Sequence, residues 1–265
     1  LQKELPGEVY ITRTLATYSY ELNNKKAPFD NVNVRKALNL SLDRNVITDK
    51  VLGQGQTPTY VFTPTYIEEG HLIQQPAYSK EPMAQRNEEA IKLLEEAGYS
   101  KANPLKFSIL YNTNENHKKV AIAAASMWKA NTKGLIDVKL ENQEWKTYID
   151  SRRAGRYDAA RAGWNADYNQ ATTFGNYFLS NSSNNTAKYA NPEYDKAIAE
   201  SYVATDAEGR AKAYAKAEEI LAKDFGIVPI FNYVNPRLVK PYVKGYSGKD
   251  PQDHIYLRNL YIIKH

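Results

Sequence analysis

Cysteine is absent from all 265 residues, which excludes disulfides, thiolate metal sites and cysteine nucleophiles. Long apolar runs are missing too. No stretch approaches the ~20 consecutive apolar residues of a membrane-spanning helix, so direct insertion into a membrane is not expected. Basic residues outnumber acidic ones, 35 to 30, but no run exceeds two of them. A chain charged in this dispersed way, with pI near 9.0, lacks the clustered patch that tracks a nucleic-acid backbone. Catalytic signatures are also lacking: there is no HExxH, GxSxG, phosphate loop or EF-hand pattern. The four histidines, His71, His117, His254 and His265, never fall at metal-ligand spacing. Neither a metal nor a cofactor is expected. Acid/base chemistry by carboxylates stays open, although no spacing among the 30 acidic residues singles out a pair.

What is abundant is tyrosine, 21 against 7 phenylalanines. Each tyrosine offers a flat apolar face and one hydroxyl, which suits surfaces that bind varied partners by stacking and adaptable hydrogen bonds; amphipathic packing at sheet edges would use it equally well. With 42% apolar and 25% charged residues the composition is that of a globular protein of one large domain or two small ones. The opening Leu1-Gln2-Lys3-Glu4 is neither a signal nor a transit peptide, so the chain is expected to begin where a segment was removed by processing or truncation.

Alternation over 14–22 (TLATYSYEL) predicts a strand, and Val34, Ala37, Leu38 and Leu42 share a helical face. Asp43 reads as the N-cap of a second short helix that stops at Gly53. Residues 54 to 86 carry Pro58, Pro64, Pro76 and Pro82 with little periodicity, an irregular excursion of the kind that is usually functional. A helix opening at Asn87-Glu88-Glu89 follows. The middle reads strand (104–112), helix (117–131), strand (136–142), helix (144–155), strand (156–163). That order implies βαβ units on a parallel sheet with right-handed crossovers. Helices at 192–203 and 206–223, a buried strand at 225–234 and an alternating terminal strand, HIYLRNLYIIKH, complete the reading.

Ligands on such sheets bind beyond the carboxyl ends of the strands. Two loops are expected there, YNTNENH after the first middle strand and GWNADYN after the third. The second belongs to RAGWNADYN (161–169), which holds one cation, one anion and two aromatic rings. His117 opens a helix at the same edge, where it can donate to a carboxylate with help from the free amides of the helix N-terminus. Blander roles exist for each residue. Arg152, in SRRAGR, could end a helix in solvent, Tyr233 could be core, and Asp167 could cap its own turn.

GWNADYN, LYNTNENHKK, LENQEWKTYID and IVPIFNYVNPRLVKPYV with GYSGKDP and IYLRNLYIIKH together resemble the periplasmic oligopeptide-binding proteins of bacterial ABC peptide importers. The resemblance runs from Leu1 to His265 and covers the C-terminal half of such a protein. It implies an α/β fold, a periplasmic binding protein-like lobe with a βαβ-type sheet flanked by helices. Residues 18–234 would form the ligand-binding lobe, while 1–17 and 235–265 would belong to the first lobe and hinge. Implied partners are an oligopeptide ligand, the inner-membrane permease subunits and the N-terminal lobe of the same full-length protein; the implied location is the periplasm.

Carried over residue by residue, the resemblance makes Asp167 the partner of a peptide ammonium, with Arg161, Arg152 and His117 meeting carboxylates of peptides of different length. The backbone of Gly163, Trp164 and Asn165 would run beside the ligand as against an added strand, and Trp164 would wall a side-chain pocket. Asn112 and Tyr233 would line the pocket, with Tyr18 and Tyr20 as further candidates. Within the family the ligand could instead be a murein peptide, a dipeptide or haem, since one scaffold serves many ligands. A peptide- or glycan-processing hydrolase with an unrecognised carboxylate pair is the alternative of another class.

Overall fold

A computed structural model describes residues 4–264; Leu1–Lys3 and His265, the outermost ends of the expected first-lobe segment and terminal strand, lie outside the described residues. One mixed sheet of six strands dominates, in the order β2-β6-β1-β5-β3-β4. Its members are β1 (Val9–Leu22), β2 (Thr57–Pro58), β3 (Leu105–Asn112), β4 (Ile136–Gln143), β5 (Ala159–Asn165) and β6 (Ile227–Leu238). The expected parallel arrangement holds for β4, β3 and β5. It fails for the rest, because β1 runs antiparallel to both β5 and β6. The alternating segment read as an opening strand is therefore the sheet's central spine.

Helices cover both faces: α1 (Val32–Leu40), α2 (Met83–Glu96), α3 (Glu115–Asn131), α4 (Trp145–Arg153), the single turn α5 (Thr172–Gly175), α6 (Pro192–Val203) and α7 (Ala207–Lys223). Successive strand side chains point to opposite faces, so Ile109 of β3 enters one core and Leu110 another. The first core joins Tyr20, Leu22, Leu38, Ile109, Trp128 and Ile230. Leu110 joins a small cluster with Tyr148, Tyr157 and Ala160, and a further core gathers Leu15, Phe62, Phe174, Phe178, Ile198 and Leu221. α3 shows why the sequence folds this way. Asn114 caps it by accepting from the amides of Asn116 and His117, and Val120, Ala121, Ala124 and Trp128 form its buried stripe. Trp128 is fully buried, and its indole N–H finds the Leu38 carbonyl at 2.9 Å. Burying a side chain of this size contributes about 3 kcal/mol.

Several boundaries depart from the sequence reading. Asp43 does cap the second short helix, accepting from the amides of Asn45 and Val46, but residues Val46–Leu52 are wound as a π-helix that Gly53 ends at φ 62°. α2 begins at Met83, directly after Pro82, rather than at Asn87. β5 runs on to Asn165, so Gly163, Trp164 and Asn165 belong to the strand and not to the loop after it. The terminal segment forms only β8 (Tyr261–Ile262), paired with β7 (Val243–Lys244), because a turn at Leu257–Asn259 interrupts the alternation. Pairing of Val9–Arg13 with Val234–Leu238 carries the β1–β6 ribbon past positions 17 and 234, where the expected lobe boundaries fall.

Candidate functional site

A groove of about 630 Å³ opens beyond the carboxyl ends of β3 and β5. It takes Thr14, Leu15 and Ala16 from β1, Asn112 from β3, His117 from α3 and Trp145 from α4. Arg161, Gly163 and Asn165 come from β5, Tyr233 from β6, and Gln252 and Asp253 from the tail. Six of the nine residues expected to bind ligand are thus brought together. A larger hollow of about 890 Å³, between α1, α7 and the 72–81 loop, shares no lining residue with this groove.

The edge of β5 is the groove's main feature. β1 pairs with it along its whole length, from Ala159 to Asn165. β3 pairs with it only at Ala159 and Ala160. Among the described residues, the strand from Arg161 to Asn165 therefore has a ladder partner on one side only. An edge of this kind is a template for another extended chain. Tyr148 donates its hydroxyl to the Arg161 carbonyl where the two strands part.

Arg161 sits within the groove without an acidic partner among the described residues. Its Nη2 donates to the Tyr233 hydroxyl at 2.6 Å, and its guanidinium lies 5.2 Å from the Tyr18 ring centroid. Its Nε is buried and unpaired. Burial works against the cation, but the hydroxyls of Tyr233 and Tyr18 outweigh it and hold the pKa above the ordinary arginine value. Gly163 makes room for this pair: a Cβ there would stand 3.1 Å from both Arg161 Nη2 and the Tyr233 hydroxyl. His117 shares the same environment. Burial first, and the Arg161 charge second, push its pKa down to about 3, so its ring is neutral, and its Nδ1 is buried and unpaired. The Asn112 side-chain oxygen is a third buried atom without a partner. Buried polar groups are rarely left in this state, and each such atom is a place for a ligand or water to bond.

Trp164 and Asp167 stand at the end of β5 outside the groove's lining. Thr173 ties them together: its hydroxyl accepts from Trp164 Nε1 at 3.2 Å and from the Asp167 amide at 3.3 Å. It also donates to Asp167 Oδ2, at 3.4 Å. The Asp167 carboxylate is exposed and in no ion pair among the described residues, and it does not cap its own turn. Its neighbours Asn165 and Ala166 line the groove.

Arg152 is the residue whose surroundings differ most from expectation. Rather than facing the groove, it forms a two-pronged pair with Glu21, through Nε at 2.9 Å and Nη2 at 2.8 Å, and Nη2 also donates to the Tyr177 hydroxyl. Glu21 is almost wholly buried, so this cation already has its anion. Tyr18 and Tyr20 are core residues beneath the groove, their hydroxyl pKa values raised by burial. Trp145 and Thr173 are two of the site residues that escaped the sequence reading. Trp145, half exposed, stacks on Tyr148 at 5.8 Å and lines the groove, and Thr173 holds the corner. A tryptophan at the first position of a helix after a strand was the available signal for the former. Thr173 gave none.

Among the described residues no group of acidic and histidine side chains is arranged to hold a metal ion, and no helix is long and apolar enough to cross a membrane. The profile of bacterial extracellular solute-binding proteins, family 5 middle, matches residues 1–186. The chain belongs to this family. As a family 5 chain it is 97% identical over 265 residues to the periplasmic oligopeptide-binding protein OppA of Haemophilus influenzae, spanning 49% of that protein. It is 44% identical over 265 residues to the periplasmic murein peptide-binding protein MppA of Escherichia coli, again spanning 49%. A crystal structure of Haemophilus influenzae OppA in complex with RPPGFSPFR matches with a TM-score of 0.93 at 96% identity, covering 100% of this chain and 52% of that one. The chain thus spans about half the length of the curated relatives it matches. The expected α/β class holds in this chain and in the OppA structure that it matches, and periplasmic is the location that the names of the two relatives carry.

Proposed function

We propose that the chain is the C-terminal lobe of a periplasmic oligopeptide receptor, a binding protein and not an enzyme. It works with the N-terminal lobe of the same full-length protein and delivers its ligand to the inner-membrane permease subunits of an ABC importer. The unpaired edge of β5 carries this reading. An extended peptide laid along Gly163–Asn165 completes the ladder that β3 abandons, so main-chain bonds grip any sequence. Asp167 at the far end meets the peptide ammonium, and Arg161 and His117 supply a cation and a donor for the carboxylate. Trp164 bounds a side-chain pocket, while Asn112, Asn165 and Tyr233 add polar contacts. Closure of the second lobe excludes water and strengthens these charged contacts. Arg152 contributes from behind the strand, through its pair with Glu21.

A hydrolase of the carboxylate-pair kind would need two acidic side chains positioned in the groove. The groove's lining contains Asp253, but its oxygens are already taken by Arg237 and Asn235. A receptor returns its peptide intact, so recovery of a labelled tripeptide after saturable binding separates the two. In the full-length protein, Asp167→Ala weakens peptides with a free amino terminus far more than N-acetylated ones. Equal losses for both would remove the assigned role.

A further inference from the structure

We infer that the buried Arg152–Glu21 pair is a positioning element for the ammonium corner of the groove, acting through the short helical segment 172–178. The inference rests on the reading of Asp167 given above. Glu21 faces Ala160 across the β1–β5 ladder and receives the Arg152 guanidinium through two hydrogen bonds. Thr186 donates its hydroxyl to the same carboxylate. Tyr177 closes the cluster: its hydroxyl donates to Glu21 Oε1 at 2.7 Å and accepts from Arg152 Nη2.

Tyr177 and Thr173 lie one helical turn apart on that segment, which runs from α5 directly into the turn Asn176–Phe178. Thr173 holds the Trp164 indole and both the amide and the carboxylate of Asp167. The Tyr177 ring meets Trp164 edge-on, with centroids 5.0 Å apart. One turn of helix therefore joins a fixed, buried charge pair to an exposed carboxylate whose own contacts are long. Asp167 has no other side-chain bond among the described residues to set its direction. A buried pair adds little net stability once its desolvation is counted, and a fixed geometry is what it can supply instead.

The test uses the full-length protein and calorimetry with trialanine and N-acetyl-trialanine. Tyr177→Phe keeps the ring on Trp164 and removes the hydroxyl. Arg152→Lys keeps the charge and removes the two-pronged grip. Each is expected to weaken trialanine by about threefold to tenfold and the acetylated peptide by less than about twofold. In an Asp167→Ala background both substitutions are expected to lose that effect, because the group they orient is gone. Equal weakening of the two peptides, or additive losses with Asp167→Ala, would overturn the inference. If Asp167→Ala alone fails to discriminate the peptides, the ammonium role itself falls, and this inference falls with it.

Discussion

The neutral state of His117 has a measurable consequence for stability. In the folded chain burial and the Arg161 charge bring its pKa to about 3, against 6.5 for an unperturbed imidazole. Between these values the unfolded chain binds a proton that the folded one refuses. Lowering the pH from 7.5 therefore favours unfolding, beginning near 6.5 and levelling off only near 3. At pH 5 the gap is about 1.5 pH units, or about 2 kcal/mol for a fully enclosed ring. The groove is open on one side, and solvent screening reduces this to about 1 kcal/mol. Replacing His117 by Gln removes the titration while keeping a polar side chain. Urea unfolding at pH 7.5 and pH 5.0 should show the wild type losing about 1 kcal/mol more than His117→Gln between the two conditions. Identical pH dependences for the two proteins would refute the reasoning, as would NMR titration of His117 near 6.5. A peptide carboxylate beside the ring should raise its pKa, so binding near pH 5 should take up a proton, seen as a buffer-dependent binding enthalpy.

Two further outcomes follow from the same geometry. Gly163→Ala places a methyl group 3.1 Å from the ends of the Arg161 and Tyr233 side chains, which must swing aside. Both are movable ends, so stability should change by about 1 kcal/mol or less while peptide affinity falls about tenfold, separable by thermal melting and calorimetry. The isolated 265-residue chain should bind tripeptides only weakly, with a dissociation constant above about 10 μM, because one lobe leaves the ligand in water; sub-micromolar affinity by calorimetry would contradict this.

Local patterns carried much of the fold. The stripe Val120, Ala121, Ala124, Trp128 with Asn114 before it defines α3, and alternation over TLATYSYEL defines the inner part of β1. The strand–helix order of the middle placed Asn112, His117 and the end of β5 on one sheet edge, and these do converge on the groove. Arg152 shows where such reading stops. Its neighbours in SRRAGR say nothing of Glu21, which lies 131 positions away on strand β1. Thr173 was equally silent, since a threonine in ATTFG carries no mark of the two groups it will hold.

By itself the sequence determined most of the longer helices and strands and their faces, because hydrophobic period and capping act over a few residues and are written in consecutive letters. It also determined that thiol chemistry has no place here. Tertiary structure alone decided which charges are satisfied and which are left open. Arg152 and Arg161 are the same residue type nine positions apart, and among the described residues one meets a buried carboxylate while the other meets only hydroxyls and rings. The free edge of β5 has the same origin. It exists because β3 parts from β5 after Ala160, and strand pairing is a relation between distant segments that neither segment encodes alone.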